Sequence, residues 1–288
     1  MEHATNDSSF SGLQTLMGQT SPARLILRAG WCALVALAML AGLATDSRGE
    51  DIVTNSIPKY GSRATRLYHR QQYVRRAEAP DFWAMMPYYV SQFNERSCSV
   101  ASATMVLNSI RATQELTADD ELITQEQLLD KIDASNWKKT VGPVGGGVSI
   151  EELGRYLRRA IDIYDLGDYT VDAVRLNANR TDHLDHIRQV LKQNERSADD
   201  FLIVFFWQKE LTDDPEGATG HVAPVAAFDE ENDQVLIFDP DRQWYEPYWV
   251  STETLVAGMS KLDRNTGRPR GYVWVRPSLV AETARADR

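Results

Sequence analysis

The stretch SQFNERSCSVASATMVLNSI, Ser91 to Ile110, places one cysteine where a polar run changes into an apolar pattern. After Cys98, apolar residues recur at spacings of three or four, which predicts a helix with one face packed on a core. The apolar positions are Val100, Ala103, Leu107 and Ile110. Cys98 then lies in the first helical turn, where unpaired backbone N–H groups stabilise a thiolate. Nucleophilic catalysis favours this position, although a buried structural cysteine fits the same pattern.

Composition excludes some classes of protein. The chain has 288 residues, 43% of them hydrophobic and 25% charged, which is enough to bury a sizeable core. Its formal net charge of -10 argues against a nucleic-acid partner, because phosphate binding needs a basic face. We interpret the arginine-rich stretch from 63 to 76 as part of a solvated linker rather than as a docking patch.

The N-terminal region has the pattern of an export signal. The run AGWCALVALAMLAGLA, Ala29 to Ala44, is uncharged, short for a membrane span and typical of the apolar part of a secretion signal. Gly42 and Ala44 fit the small residues before a cleavage site, and an uncleaved signal anchor is the alternative. We therefore assign residues 1–44 to a signal peptide or anchor. The folded part is expected outside the cytoplasm, periplasmic or membrane-anchored, with membrane contact only through this segment.

The two cysteines differ in their surroundings. Cys32 lies inside the predicted leader, which leaves Cys98 alone in the remaining chain. A single thiol has no intramolecular disulfide partner and does not form a multi-cysteine metal site. We therefore predict no metal site, and Cys98 is either an inert buried thiol or a nucleophile.

The chain beyond the leader divides into three parts. Residues 45–80 are polar and lack periodicity, so we predict a linker; 81–280 form the folded domain, and 281–288 a tail. Within the domain, Ser149 and Glu152 make a capping-box pattern at the start of a second helix.

The second half of the domain has strand patterns. The run FLIVFFW, Phe201 to Trp207, predicts a buried strand, and GYVWV from Gly271 predicts another. HVAPVAAF and QVLIFD flank the acidic turn DEEND, which predicts a β-hairpin. Helices first and neighbouring strands later indicate the α+β class, with the nucleophile helix packed on a mainly antiparallel sheet.

Three residues are candidate partners of Cys98. His221 follows Gly220 and opens a predicted strand, and Asp239 ends the strand paired with it. Antiparallel pairing brings these two ends together, as a base and its orienter require. Gln92 precedes the cysteine by six residues, and its amide is a candidate donor to an oxyanion, together with the backbone N–H of Cys98.

These motifs resemble the phytochelatin synthase family. Gln92, five residues, Cys98 and then VASATMVLNSI are similar to the family's Q-x5-C-G-x-A-S-x-x-x-V-L-N. The segment GHVAPVAAFDEENDQVLIFDPDRQWYEPYWV, Gly220 to Val250, is similar to its G-H-x-S-P segment with the following strand and D-x-x-R. GVSIEELGRYL and RGYVWV also match, in the right order, so the resemblance covers about residues 85 to 277.

The resemblance implies a papain-like fold and a thiol mechanism. Cys98 is implied as nucleophile, His221 as general base and acid, Asp239 as orienter and Gln92 as oxyanion donor. The implied substrate is glutathione, cleaved at its Cys–Gly amide to give γ-glutamylcysteine or phytochelatins. Heavy metals act in the family largely as thiolate complexes of the substrate, so no cofactor is implied, and a homodimer is a family-level expectation.

The implied substrate-binding residues are Arg242, Ser99 and Gly220. Arg242 matches the family's arginine, whereas Ser99 replaces its usual glycine and is expected to crowd the acyl site. Gln208 replaces an arginine, which weakens the expectation of carboxylate recognition, because an amide does not replace a bidentate guanidinium. A longer acidic loop follows, with Asp213, Asp214 and Glu216.

Two alternatives stay open. The chain also resembles C39 peptidases, which have a glutamine before the cysteine and an Asp-Pro such as Asp239-Pro240 after the histidine; leader peptides are then the substrates. Ser99 and Gln208 also suit a non-catalytic binding protein on a degenerate papain-like scaffold. Hydrolysis and transfer are equally compatible with the sequence.

Overall fold

The computed structural model describes residues 58–132, 135–177 and 182–278. The strands are β1 (Ala64–Arg66), β2 (Tyr169–Arg175), β3 (Phe201–Trp207), β4 (Gly220–Asp229), β5 (Gln234–Ile237), β6 (Tyr248–Ser251) and β7 (Gly271–Pro277). The α-helices are α1 (Gln72–Arg76), α2 (Pro80–Met85), α3 (Cys98–Arg111), α4 (Gln125–Lys131), α5 (Ser135–Thr140), α6 (Ile150–Ile163), α7 (His183–Asn194), α8 (Gln208–Thr212) and α9 (Thr252–Ser260). Short 3-10 helices cover Leu67–His69 and Met86–Tyr88.

The strands form one sheet in the order β1-β6-β5-β4-β3-β7-β2, and each neighbouring pair is antiparallel. This arrangement confirms the predicted α+β class. None of the helices in the described part of the chain is long and apolar enough to cross a membrane. The predicted leader, residues 1–44, lies outside the described residues.

Strand β3 is buried on both faces, as its continuous apolar run predicts. Ile203 and Phe205 belong to one core, on the side of the sheet where α3 and α6 pack. Val204 and Phe206 belong to the other core, on the side covered by α7 and α9. A strand with helices on both faces has no need for polar residues, which explains the sequence FLIVFFW.

The predicted nucleophile helix and hairpin are both present. Helix α3 begins at Cys98 and packs against β4. Strands β4 and β5 pair from Asp229 with Gln234 back to Val225 with Ile237, with a register shift between them. The start of β4 and the end of β5 therefore meet at one end of the hairpin, near the start of α3.

The folded part begins earlier than the predicted boundary at residue 81. Strand β1 pairs with β6, and Val74 and Ala79 are buried in the core. Arginines of this segment form ion pairs within the fold, such as Arg70 with Asp229 at 3.0 Å. The linker prediction is wrong here because a three-residue strand is too short to produce a period. Residues 45–57 and 281–288 lie outside the described part.

Candidate active site

The nucleophile candidate is held at the start of α3 by a tight turn. The Ser97 hydroxyl accepts a hydrogen bond from the Asn94 N–H and donates one to the Asn94 carbonyl, both at 3.0 Å. Cys98 is a free thiol with 8% of its surface exposed. Cys98 is the first residue of α3, as predicted, and the N-terminus of a helix favours negative charge on a group placed there.

His221 lies between the thiol and a buried carboxylate. Its Nε2 atom is 2.7 Å from Oδ1 of Asp239, which leaves Nδ1 as the ring nitrogen for Cys98, a neighbour close enough to influence the pKa of the imidazole. The ring also packs edge-on against Phe206 at a centroid distance of 5.5 Å. The imidazole is therefore fixed on three sides.

The charge of His221 follows from these neighbours. Burial by itself lowers the pKa of His221, but the Asp239 carboxylate and then Cys98 raise it, and the net pKa lies well above the ordinary value. The site therefore favours an imidazolium, which is the partner that a thiolate nucleophile requires.

Asp239 follows β5 and is fully buried. Its Oδ1 accepts a second hydrogen bond from the Asp241 N–H at 2.9 Å. Its Oδ2 lies 3.1 Å from the Tyr248 hydroxyl and 3.3 Å from Nε2 of Gln208. Each oxygen thus has two donors, which compensates for the loss of water around a buried charge.

Gln92 is attached to the same end of the hairpin. Its backbone N–H donates to the Pro240 carbonyl at 2.8 Å. Its side-chain oxygen is buried and has no hydrogen-bond partner among the described residues. The four residues predicted as catalytic, Gln92, Cys98, His221 and Asp239, therefore lie at one place in the fold.

Gln92, Cys98 and His221 line one cavity of about 500 Å³, and Gly220 also contributes to its wall. Four carboxylates line it, and two cations among the described residues do so as well. The acidic residues are Glu95, Asp214, Glu216 and Asp241, and the basic ones are Lys59 and Arg96. Burial raises the pKa of Asp241 above its ordinary value, so this carboxylate takes up a proton at a higher pH than an exposed aspartate does.

Two of the predicted substrate-binding residues do not line this cavity. The Ser99 hydroxyl faces the core and accepts a hydrogen bond from the Trp137 indole at 3.1 Å, so it does not crowd the acyl site. The Arg242 guanidinium packs over the Tyr89 ring at 4.5 Å. Ser99 and Arg242 point away from the cavity because successive side chains of a helix or a turn point in different directions.

Gln208 lies at the wall of the cavity, but its amide is turned away from a substrate. Its side chain is 1% exposed and its amide donates to Asp239 and to the Tyr248 hydroxyl, both at 3.3 Å. In the family resemblance, Gln208 stands at the position of an arginine that is expected to bind a carboxylate. In the structure, its polar atoms are used inside the protein.

Lys59 is a cavity residue that the sequence did not indicate. Its Nζ atom lies 2.8 Å from the buried Asp214 carboxylate and 4.5 Å from the centre of the Tyr245 ring. Burial alone raises the pKa of Asp214, but hydrogen bonds from Lys59 and Tyr245 lower it below its ordinary value. The contact joins residues 155 positions apart, and no local pattern reports such a pairing.

Among the described residues, no three His, Cys, Asp or Glu side chains come close enough to hold a metal ion. A buried thiol, imidazole and carboxylate lie next to one another between a helix and an antiparallel hairpin, which is the arrangement used by enzymes with a nucleophilic cysteine.

The chain belongs to the phytochelatin synthase family, whose sequence model, described as "Phytochelatin synthase", matches residues 52–272. It is 23% identical over 209 residues to glutathione gamma-glutamylcysteinyltransferase 1 of Lotus japonicus, covering 70% of this chain and 37% of that protein. It is 27% identical over 199 residues to glutathione gamma-glutamylcysteinyltransferase 3 of Lotus japonicus, covering 67% of this chain and 36% of that protein.

A shorter match is closer in sequence. The glutathione gamma-glutamylcysteinyltransferase of Schizosaccharomyces pombe is 40% identical over 61 residues, which are 21% of this chain and 15% of that protein. The chain thus spans little more than a third of the length of the plant relatives that it matches.

Proposed function

We propose that the protein is a papain-like thiol enzyme that cleaves the Cys–Gly amide of glutathione and holds a γ-glutamylcysteinyl thioester on Cys98. The observation that carries the proposal is the imidazole of His221, which is hydrogen-bonded to Asp239 and lines the same cavity as the neighbouring Cys98. Similarity to glutathione gamma-glutamylcysteinyltransferases supports the choice of substrate.

In the first step, the Cys98 thiolate attacks the carbonyl carbon of the Cys–Gly amide, and an oxyanion develops on the carbonyl oxygen. The Cys98 backbone N–H and the Gln92 amide are the proposed donors to it. The His221 imidazolium gives its proton to the glycine nitrogen as the C–N bond breaks. Glycine leaves, and the acyl group remains as a thioester.

In the second step, the now neutral His221 removes a proton from the incoming nucleophile. Water gives γ-glutamylcysteine, and the amine of another glutathione gives a longer γ-glutamylcysteinyl chain. As the thioester C–S bond breaks, Cys98 leaves as the thiolate and His221 is again the imidazolium, so both reactions restore the starting ion pair. We propose that heavy-metal ions take part as thiolate complexes of glutathione, and that the enzyme carries no cofactor.

Lys59 is the proposed recognition residue for a glutathione carboxylate, with Arg96 as a second cation. Asp214, the ion-pair partner of Lys59, also accepts hydrogen bonds from Tyr245 and from the Glu216 N–H. The Asp214 carboxylate therefore keeps two donors when the Lys59 ammonium turns toward a substrate. This arrangement supplies a positive charge where Gln208 and Arg242 supply none.

The first experiment is incubation of the full chain with glutathione, with and without cadmium, followed by mass spectrometry of glycine and thiol products. Glycine with γ-glutamylcysteine alone identifies a hydrolase, and longer oligomers identify a transferase. Cys98→Ala is expected to abolish both. Activity retained in this variant, or no glycine from the unaltered chain, contradicts the proposed function.

A second experiment tests carboxylate recognition with glutathione and its C-terminal amide. Lys59→Met is expected to raise KM for glutathione several-fold and to leave KM for the amide nearly unchanged. The matched control is Lys138→Met, which removes a surface lysine paired with Asp130. Equal increases in KM for both compounds would contradict the role of Lys59.

A peptidase of C39 type is the second candidate function. It is favoured by the excess of carboxylates over cations around the cavity, which suits a peptide with positive charge better than the anion glutathione. Cleavage of basic peptides with glutathione inert would support it. A non-catalytic binding protein instead predicts that Cys98 reacts with iodoacetamide no faster than an ordinary thiol.

The proposal extends to location and assembly. The apolar run from Ala29 to Ala44 supports export, and cell fractionation with an antibody tests it; recovery only from the cytoplasm contradicts it. A homodimer is proposed from the family, and light scattering during size-exclusion chromatography measures the mass directly.

A further inference from the structure

Two buried side chains outside the predicted catalytic set contact the second oxygen of Asp239. The Tyr248 hydroxyl lies 3.1 Å from Oδ2, and Nε2 of Gln208 lies 3.3 Å from it. The two groups also lie 3.3 Å from each other. Gln208 is 1% exposed and Tyr248 and Asp239 are fully buried, so in the folded protein these two side chains, rather than bulk solvent, supply the donors to Oδ2.

Each donor is tied by the backbone to a neighbour of the catalytic residues. The Gln208 N–H donates to the Thr219 carbonyl at 3.0 Å, two residues before His221. Tyr248 opens β6 and pairs with Ile237, two residues before Asp239. The pair of side chains therefore connects the strand of His221 with the strand that leads into Asp239.

Both donors are neutral at every pH where the enzyme is expected to work. Burial and the adjacent Asp239 charge raise the pKa of Tyr248 well above its ordinary value, so the hydroxyl keeps its proton. The Gln208 amide does not titrate. Neutral donors stabilise the Asp239 carboxylate without competing with the His221 imidazolium for its charge, as a buried cation would.

We infer that Gln208 and Tyr248 are positioning residues, which together hold the Asp239 carboxylate directed at His221. The inference rests on the proposed thiol chemistry. Without these donors, Oδ2 is a buried charged atom with no partner, which is unfavourable enough for the carboxylate to rotate away from its present orientation. The rotation removes the support of the imidazolium.

The test compares Gln208→Met and Tyr248→Phe with the unaltered full chain. The rate of Cys98 alkylation by iodoacetamide is measured from pH 4.5 to 9, and kcat and KM for glutathione are measured alongside. We expect the acidic limb of the alkylation profile to move to higher pH. A change of one unit in its midpoint makes the rate about tenfold lower at pH values below both midpoints and leaves it nearly unchanged at pH 8. KM is expected to stay the same while kcat falls.

Thr212→Val is the matched control. Thr212 lies in α8, is fully buried and donates to the Gln208 carbonyl, so the variant disturbs the same helix without removing a donor from Asp239. Its alkylation profile is expected to keep its shape. A shift as large as that of Gln208→Met, or a loss in Gln208→Met that is equal at all pH values, would overturn the inference.

Alkylation needs no substrate, which separates this inference from the proposed function. If glutathione is not cleaved but the acidic limb shifts in both variants, the positioning role stands and the substrate assignment fails. If Cys98 of the unaltered chain reacts like an ordinary thiol at all pH values, both fail.

Discussion

The charge on His221 results from a competition between burial and two neighbours. Burial lowers the pKa of His221, whereas Asp239 and Cys98 raise it, and the neighbours prevail. A histidine whose pKa is raised in the folded protein keeps its proton above pH 6.5. The ion pair with Asp239 is therefore complete at lower pH and is lost as the pH rises through the raised pKa.

Replacing Asp239 with asparagine removes the main charge that raises this pKa. We expect the alkaline limb of the Cys98 alkylation profile to move to lower pH, and turnover to fall about 10²–10⁴-fold because the imidazole loses its orienter. Asp185→Asn, at an exposed carboxylate of α7, is the control. An alkaline limb that does not move in Asp239→Asn would contradict this account of the charge.

Ser99 illustrates a residue whose role is structural. Its hydroxyl accepts the indole N–H of Trp137, a fully buried side chain. Ser99→Ala leaves that N–H without a partner, and we expect the free energy of unfolding to fall by about 1–3 kcal/mol. Urea denaturation measures this change, and kcat is expected to stay near that of the unaltered chain. A large fall in kcat at unchanged stability would instead return Ser99 to the acyl site.

Among the elements, the pair β2–β7 depends on a glycine. The backbone of β2 lies so close to Gly271 that a Cβ atom added to this glycine would be 2.0 Å from the Val174 carbonyl oxygen. The pattern GYVWV predicts the strand, but only the pairing explains why a glycine begins it. Close approach of two backbones is a use of glycine that no other residue allows.

Gly271→Ala is therefore expected to lower the free energy of unfolding by about 3 kcal/mol, at the upper end of the cost of overpacking. Thermal or urea unfolding monitored by circular dichroism measures it. Thr170→Ala, at an exposed position of β2, is the control and is expected to change stability by about 0.5 kcal/mol or less. Similar losses in both variants would point to strand propensity rather than to the close approach.

For the molecule as a whole, buried carboxyls decide how stability depends on pH. Burial raises the pKa of Glu195 to about 7 and of Asp200 to about 6, and burial next to both raises that of Asp81 well above its ordinary value. Above about pH 4.5 the unfolded chain ionises these groups, while in the folded protein each stays protonated up to its own raised pKa. Stability therefore falls as the pH rises through this range.

We expect the free energy of unfolding to be larger at pH 5 than at pH 8, by a few kcal/mol, since each tenfold difference in proton affinity corresponds to about 1.4 kcal/mol. The raised pKa of His221 acts in the same direction. Urea titrations at both pH values measure the difference. Glu195→Gln is expected to reduce it, and Glu115→Gln, at an exposed position, to leave it unchanged; a difference of opposite sign would contradict the assignment.

The elements nearest the site were the most predictable. The capping box at Ser149 and Glu152, the buried strand β3 and the helix beginning at Cys98 all follow from local patterns, and the structure contains each of them. Strand β1 was not predicted from the sequence, because its three residues are too few to show an alternating apolar pattern. Arg242, predicted as a carboxylate anchor, does not line the cavity. The direction of a side chain after a turn depends on the geometry of that turn, which the sequence pattern does not show.

The amino-acid order by itself determined where helix and strands begin, which thiol stands at a helix start, and which histidine and carboxylate meet at the end of a hairpin. These are consequences of short-range periodicity and of antiparallel pairing. Only the tertiary structure decided that Gln208 and Tyr248 hold Asp239, that Lys59 enters the cavity and that Ser99 faces Trp137. A local sequence pattern indicates which face of a helix or strand is buried. Which residues that face contacts depends on packing between segments that are far apart in the chain.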